Sequence, residues 1–76
     1  MTDEQKAELT RLAREDREAA TKYWTAQKTS DYPGLLSASL AAEKRLADAL
    51  LAAGVDCFVA DGVEFRRNGN RVMIRD

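Results

Sequence analysis

The last fifteen residues of the chain, GVEFRRNGNRVMIRD, constrain its fold more than any other segment. Apolar and polar residues alternate there, as in a strand with one buried face, whereas the upstream apolar residues follow a helical repeat. Asn68-Gly69 lies at the centre of the alternation and favours a type I′ turn, because both turn positions need positive φ. We therefore predict a β-hairpin at this end of the chain. Its predicted register places Phe65 opposite Val72 and Val63 opposite Ile74.

A second turn signal, Asp61-Gly62, extends the hairpin into a three-stranded antiparallel meander. Taken as a two-residue turn, it places Phe58 beside Phe65 and Ala60 beside Val63. These side chains share the apolar face of the hairpin. A slip of one residue would invert every side chain, so the agreement of the two registers supports the meander. The predicted strands are residues 57–60, 63–67 and 70–75.

The preceding part of the chain predicts two helices joined by a loop. Thr2 and Gln5 have the spacing of a capping box at the start of the first helix. Pro33 stops that helix from continuing, and Gly54 can take the left-handed conformation that ends the second one. The predicted bounds are 3–28 for the first helix, 29–34 for the loop and 35–53 for the second helix. The fold class is therefore α+β in a single domain (residues 1–76), a helical hairpin followed by a short β-meander (α-α-β-β-β) with the sheet packed on the second helix.

The chain is short of large apolar side chains. It has 76 residues, and 13 of those counted as hydrophobic are alanine. A domain of this size buries only about 60% of the surface that its unfolded chain exposes. Cys57 is the single cysteine, so no disulfide within the chain compensates. We therefore expect a homo-oligomer, most simply a two-fold dimer, with another protein as an alternative partner.

The helices carry the residues that we expect at such an interface. Toward its end the second helix is apolar nearly all round, which predicts cover on more than one side. Tyr23 and Trp24 either anchor an interface, where aromatic residues are enriched, or close the end of the helical hairpin. The leading prediction is a small non-enzymatic interaction or assembly module that self-associates through helix faces. Its interface candidates are Tyr23, Trp24, Leu36, Leu40, Leu46, Leu50 and Leu51.

An alternative function is nucleic-acid binding through an arginine-bearing β-hairpin. A two-stranded ribbon can enter a DNA groove, and arginines can grip phosphates. The opposing interpretation is a solvated sheet face, because Glu64 lies diagonal to two of the arginines and cross-strand ion pairs would neutralise much of their charge. The candidate residues are Arg66, Arg67, Arg71 and Arg75.

The sequence offers little for catalysis. It contains no histidine, so neither Cys57 nor a serine has the usual activating base. Gly-rich phosphate loops, metal-ligand spacings and dinucleotide fingerprints are absent from the sequence. We predict no enzymatic activity and no cofactor, and we interpret Cys57 as a small hydrophobe. Asp16 and Glu43 interrupt the apolar stripes of their helices. A buried pair could set register or partner choice, but we favour the alternative that both lie at the stripe edges in water.

Charge and hydropathy predict a cytoplasmic protein without a membrane partner. The chain has 12 basic and 13 acidic residues, and their signs are interleaved as on a solvated surface. The segment MTDEQKAELT lacks the basic and apolar regions of a signal peptide. No apolar run approaches the roughly 20 residues of a membrane span. A single cysteine is also typical of a reducing compartment.

Overall fold

A computed structural model describes residues 2–26 and 32–75 of the chain and confirms the predicted α-α-β-β-β order. The elements are α1 (Asp3–Thr25), α2 (Tyr32–Ala52), β1 (Cys57–Ala60), β2 (Val63–Asn68) and β3 (Arg71–Arg75). The strands form one antiparallel sheet in the order β1-β2-β3. The fold is therefore α+β, with a helical hairpin followed by a β-meander.

The capping box predicted at the start of α1 is present. The Thr2 hydroxyl oxygen accepts from the Gln5 N–H at 3.1 Å, and the Gln5 side-chain oxygen accepts from the Thr2 N–H at 2.9 Å. Two otherwise unsatisfied backbone donors are thereby paired. The described part of α1 ends at Thr25, and the predicted end at residue 28 lies outside the described residues.

Helix α2 begins three residues earlier than predicted, because Tyr32, Pro33 and Gly34 are already helical. Proline is tolerated in the first turn of a helix, where its missing N–H would have no intrahelical acceptor. The loop prediction of 29–34 was therefore wrong for residues 32–34, and residues 29–31 lie outside the described residues.

The C-terminal end of α2 forms a Schellman motif at Gly54, the residue predicted to end this helix. Gly54 has a φ of +73°. Its N–H donates to the Leu51 carbonyl at 3.0 Å, and the Val55 N–H donates to the Leu50 carbonyl at 3.1 Å. Val55 also packs against the core that contains Leu50. Glycine is the residue that reaches this left-handed backbone conformation without a steric penalty.

The first hairpin has the predicted register, with Phe58 opposite Phe65 and Ala60 opposite Val63. The turn between these strands has positive φ at both positions, 55° at Asp61 and 76° at Gly62, as a type I′ turn requires.

The register predicted for the second hairpin was wrong by two residues. Phe65 lies opposite Ile74 and Asn68 opposite Arg71, so the two-residue loop is Gly69-Asn70. Gly69 has a φ of +64° whereas the φ of Asn70 is not positive, which is the φ pattern of a type II′ turn with glycine first. The observed register also pairs Glu64 directly with Arg75, an arrangement that opposite charges favour. A shift of two residues preserves the faces, so the apolar face was predicted correctly.

The core lies between the helical hairpin and the apolar face of the sheet. Strand β3 lies against α2, and β1 lies against α1. The prediction that the sheet packs on the second helix is confirmed. Neither helix, over the residues that the structure describes, has the length and apolar character needed to cross a bilayer. The core residues are Leu9, Leu12, Ala13, Leu46, Ala47, Leu50, Ala60, Val63, Phe65 and Val72.

Candidate interaction surfaces

Two of the seven interface candidates belong to the core of the single chain. Leu46 and Leu50 are both 0% exposed and pack in the core cluster with residues of α1 and the sheet. The apolar end of α2 is thus covered largely by the chain itself. The prediction that these two leucines face a partner was wrong, because α1 covers one side of the helix and the sheet covers another.

Three other candidates are large apolar side chains that remain exposed. Trp24 is 68% exposed, Leu51 is 62% exposed and Leu40 is 46% exposed. Tyr23 is partly buried and lies edge-on to Trp24, with 5.6 Å between the ring centroids. Leu36 is also partly buried. The two aromatic rings make this edge-on contact near the end of α1, and Trp24 presents most of its surface to solvent.

Leu40 and Leu51 mark one side of α2, which we call the α2 outer face. Spacings of three, four, seven and eleven residues place side chains on one side of a helix. Lys44 and Asp48 lie between the two leucines, and neither forms an ion pair with another described residue. All members of the face are exposed. They are Leu40, Ala41, Lys44, Asp48, Leu51 and Ala52.

The four arginines of the alternative prediction do not form one cluster. Arg67 lies opposite Val72, so it is on the core side of the sheet. Strand alternation places the other three on the open face. Three of the four are paired with carboxylates: Arg66 with Glu64 at 3.1 Å, Arg67 with Asp56 at 2.9 Å and Arg71 with Glu43 at 2.9 Å. Arg75 is directly opposite Glu64 in the register. Much of the positive charge of the hairpin is therefore matched within the chain.

Asp16 and Glu43 are buried, so the expectation that they lie in water at the stripe edges was wrong. Asp16 is 3% exposed, and its Oδ2 atom has no hydrogen-bond partner among the described residues. Burial, followed by the nearby Glu43 carboxylate, raises the pKa of Asp16 to about 6. Asp16 lies near Glu43 of the other helix, and Glu43 in turn is bonded to Val72 of β3. A helical pattern considered alone does not show these tertiary contacts.

Glu43 has a structural role that the sequence prediction missed. Its Oε2 atom accepts from the Val72 backbone N–H at 2.8 Å and from Arg71 Nε at 2.9 Å. Glu43 thereby connects α2 to the edge strand β3. The sequence feature that could have indicated this role is the position of Glu43 within an apolar stripe. A carboxylate at such a position can be buried when it is paired.

A second missed contact joins the first hairpin to α1. Arg14 Nε lies 2.9 Å from Asp61 Oδ2, and one terminal nitrogen of Arg14 lies 3.0 Å from Asp61 Oδ1. This bidentate hydrogen bond from Arg14 lowers the pKa of Asp61, and Arg17 adds a smaller effect in the same direction. The two residues are 47 positions apart, so no local pattern predicts the pair.

The described residues contain no group of three or more histidine, cysteine, aspartate or glutamate side chains that could hold a metal ion. Cys57 is a free, partly buried thiol. Comparison of the chain with protein-family models, with curated proteins and with solved structures finds no match.

Proposed function

We propose that this chain is a small non-enzymatic assembly module that self-associates through helix faces. The observation that carries the proposal is the exposure of three large apolar side chains, Trp24, Leu40 and Leu51, on the helices. Burying a side chain of this size contributes about 1.5–3 kcal/mol before the costs of association. We also propose the cytoplasm as its compartment, because a single free cysteine fits a reducing environment.

The composition of the core supports the proposal. Its ten residues include three alanines, and Phe65 is the largest of the fully buried side chains. Chains of this size without disulfides or metals often gain burial from a partner. Apolar helix residues left outside such a core are the surface that self-association would use.

The mass of the protein in solution tests the proposal. Light scattering after size exclusion should give a mass that rises from 8.4 kDa toward twice that value with concentration. A monomer at about 100 µM would contradict self-association, because a dimer with a dissociation constant in the micromolar range would be populated there.

The alternative proposal is nucleic-acid binding by the open face of the sheet. Arg66, Arg71 and Arg75 share that face, which favours this candidate, whereas the carboxylates near them oppose it. Phosphate contacts would make the affinity for DNA or RNA fall steeply with salt, while apolar self-association would not show this dependence. A salt titration of both equilibria distinguishes the two proposals.

A further inference from the structure

We infer that the α2 outer face binds the same face of a second copy of the chain. This inference rests on the self-association proposed above. The two α2 helices run antiparallel, and a two-fold axis passes near residue 46. The partner is therefore this chain itself, and the interface is isologous. In such an interface, if one residue contacts another residue of the partner, the reverse contact also occurs.

The order of residues along the α2 outer face is the first support for this pairing. An antiparallel two-fold at residue 46 brings Leu40 to within one residue of the level of the partner's Leu51, and Ala41 to within one residue of the level of the partner's Ala52. At about 100° per residue, the members of each pair also lie on the same side of the contact. Both leucines are among the exposed large apolar residues of the chain. Each pair therefore joins residues of the same character, and each occurs twice in the dimer. An unrelated partner would not require this mirrored order, whereas a second copy does.

The charges on the face are the second support. The same axis places Lys44 opposite the partner's Asp48, so opposite charges meet twice near the centre of the contact. Within the described part of one chain, neither residue forms an ion pair. Electrostatic complementarity of this kind fixes the register of an interface.

The shape of the face permits a close approach of the two helices. Ala41 and Ala52 are small, and both are exposed. The residues from Leu40 to Leu51 span about 17 Å of helix at 1.5 Å per residue. Leu46 and Leu50 turn toward the core of their own chain, so the pairing does not disturb the contacts of α2 with α1 or the sheet.

Charge reversal tests the inference without changing the core. Lys44→Glu alone places glutamate opposite the partner's Asp48, and Asp48→Lys alone places lysine opposite the partner's Lys44. Each variant should weaken its own homodimer by about tenfold or more, because like charges meet twice across the axis. An equimolar mixture of the two variants should restore dimerisation, because every cross-axis pair is then of opposite sign.

Lys6→Glu serves as the matched control. Lys6 is an exposed residue of α1, so the same charge change there should leave the dimer affinity unchanged. Far-ultraviolet circular dichroism of each variant confirms that the helices are retained. The affinities are measured by sedimentation equilibrium of each variant and of the mixture.

The outcomes separate this inference from the proposed function. If the wild type is a monomer, the proposed self-association itself fails. If the wild type dimerises but Lys44→Glu has wild-type affinity, or the mixture does not recover, the pairing described here is wrong. Self-association then uses another surface, of which the exposed Trp24 is the next to test.

Discussion

The Glu43 carboxylate accepts a hydrogen bond from the Val72 backbone N–H at 2.8 Å, so a side chain from α2 pairs one backbone donor on the outer edge of β3. An edge strand normally presents unpaired N–H and C=O groups to which other strands can bind. Here one of the outward donors is satisfied by a buried helix residue. The contact therefore positions the sheet on α2 and protects part of its edge.

Removing the Glu43 carboxylate should destabilise the fold. Glu43→Ala leaves the buried Val72 N–H without an acceptor, which costs roughly 1–3 kcal/mol of the free energy of unfolding. Glu43→Gln keeps an acceptor oxygen and should lose less. Urea denaturation measures both changes, and hydrogen exchange at the Val72 amide reports the local opening. An alanine variant as stable as the wild type, with unchanged exchange, would contradict the role given to Glu43.

Asp16 should make the fold less stable at neutral pH than in acid. Its pKa is raised from 3.8 to about 6, so the folded chain holds this proton more tightly than the unfolded chain does. The stabilisation is complete below about pH 4 and is lost as the pH rises through about 6. Since one pKa unit corresponds to about 1.4 kcal/mol, Asp16→Asn should gain up to roughly 3 kcal/mol at pH 8 and little near pH 3.5.

The control for Asp16→Asn is Glu8→Gln, which removes a carboxylate from an exposed position on the same helix. Urea denaturation of both variants at the two pH values gives the comparison. The same gain for Asp16→Asn at both pH values would show that ionisation of Asp16 does not limit the stability of the fold.

The register of the second hairpin can be tested at its turn. Gly69 has positive φ, so Gly69→Val should lower the free energy of unfolding by about 1–2 kcal/mol. Asn68 is a strand residue in this structure, so Asn68→Thr should be tolerated. Thermal unfolding measures both effects. A large loss for Asn68→Thr would instead favour a turn centred on Asn68-Gly69.

Two neighbouring leucines should behave differently when truncated. Leu50 is 0% exposed and Leu51 is 62% exposed. Leu50→Ala should cost about 2–5 kcal/mol through the cavity it leaves. Leu51→Ala should change the unfolding free energy of the monomer by less than about 0.5 kcal/mol but weaken self-association. Denaturation at low protein concentration and light scattering at high concentration measure the two properties separately, and equal losses of stability would contradict this assignment.

The elements and one register could be predicted because their signals are local. The capping box at Thr2, the helix end at Gly54 and the type I′ turn at Asp61-Gly62 each depend on residues a few positions apart. In the second hairpin the observed turn, Gly69-Asn70, lies one residue beyond the predicted turn, Asn68-Gly69. Its register was decided by strand pairs such as Phe65 with Ile74, which the turn residues alone do not specify.

The contacts that position the surfaces were not predictable in the same way. Burial of Asp16 near Glu43 depends on how α1 packs on α2, and the Arg14–Asp61 pair joins residues 47 positions apart. The sequence pattern alone did not separate the leucines of α2 into buried and exposed residues. The placement of α1 and the sheet divides them into core residues such as Leu46 and surface residues such as Leu51.

The bond between Asp56 and Arg67 has a mechanical consequence. Beyond the ion pair of their side chains, the Arg67 backbone N–H donates to the Asp56 carbonyl at 2.7 Å. Asp56 lies in the short connection between α2 and β1, so these two bonds fasten the connection to the middle strand. A load applied to the tip of the second hairpin should therefore reach α2 through the middle strand, and we expect the helices and the sheet to yield together under force.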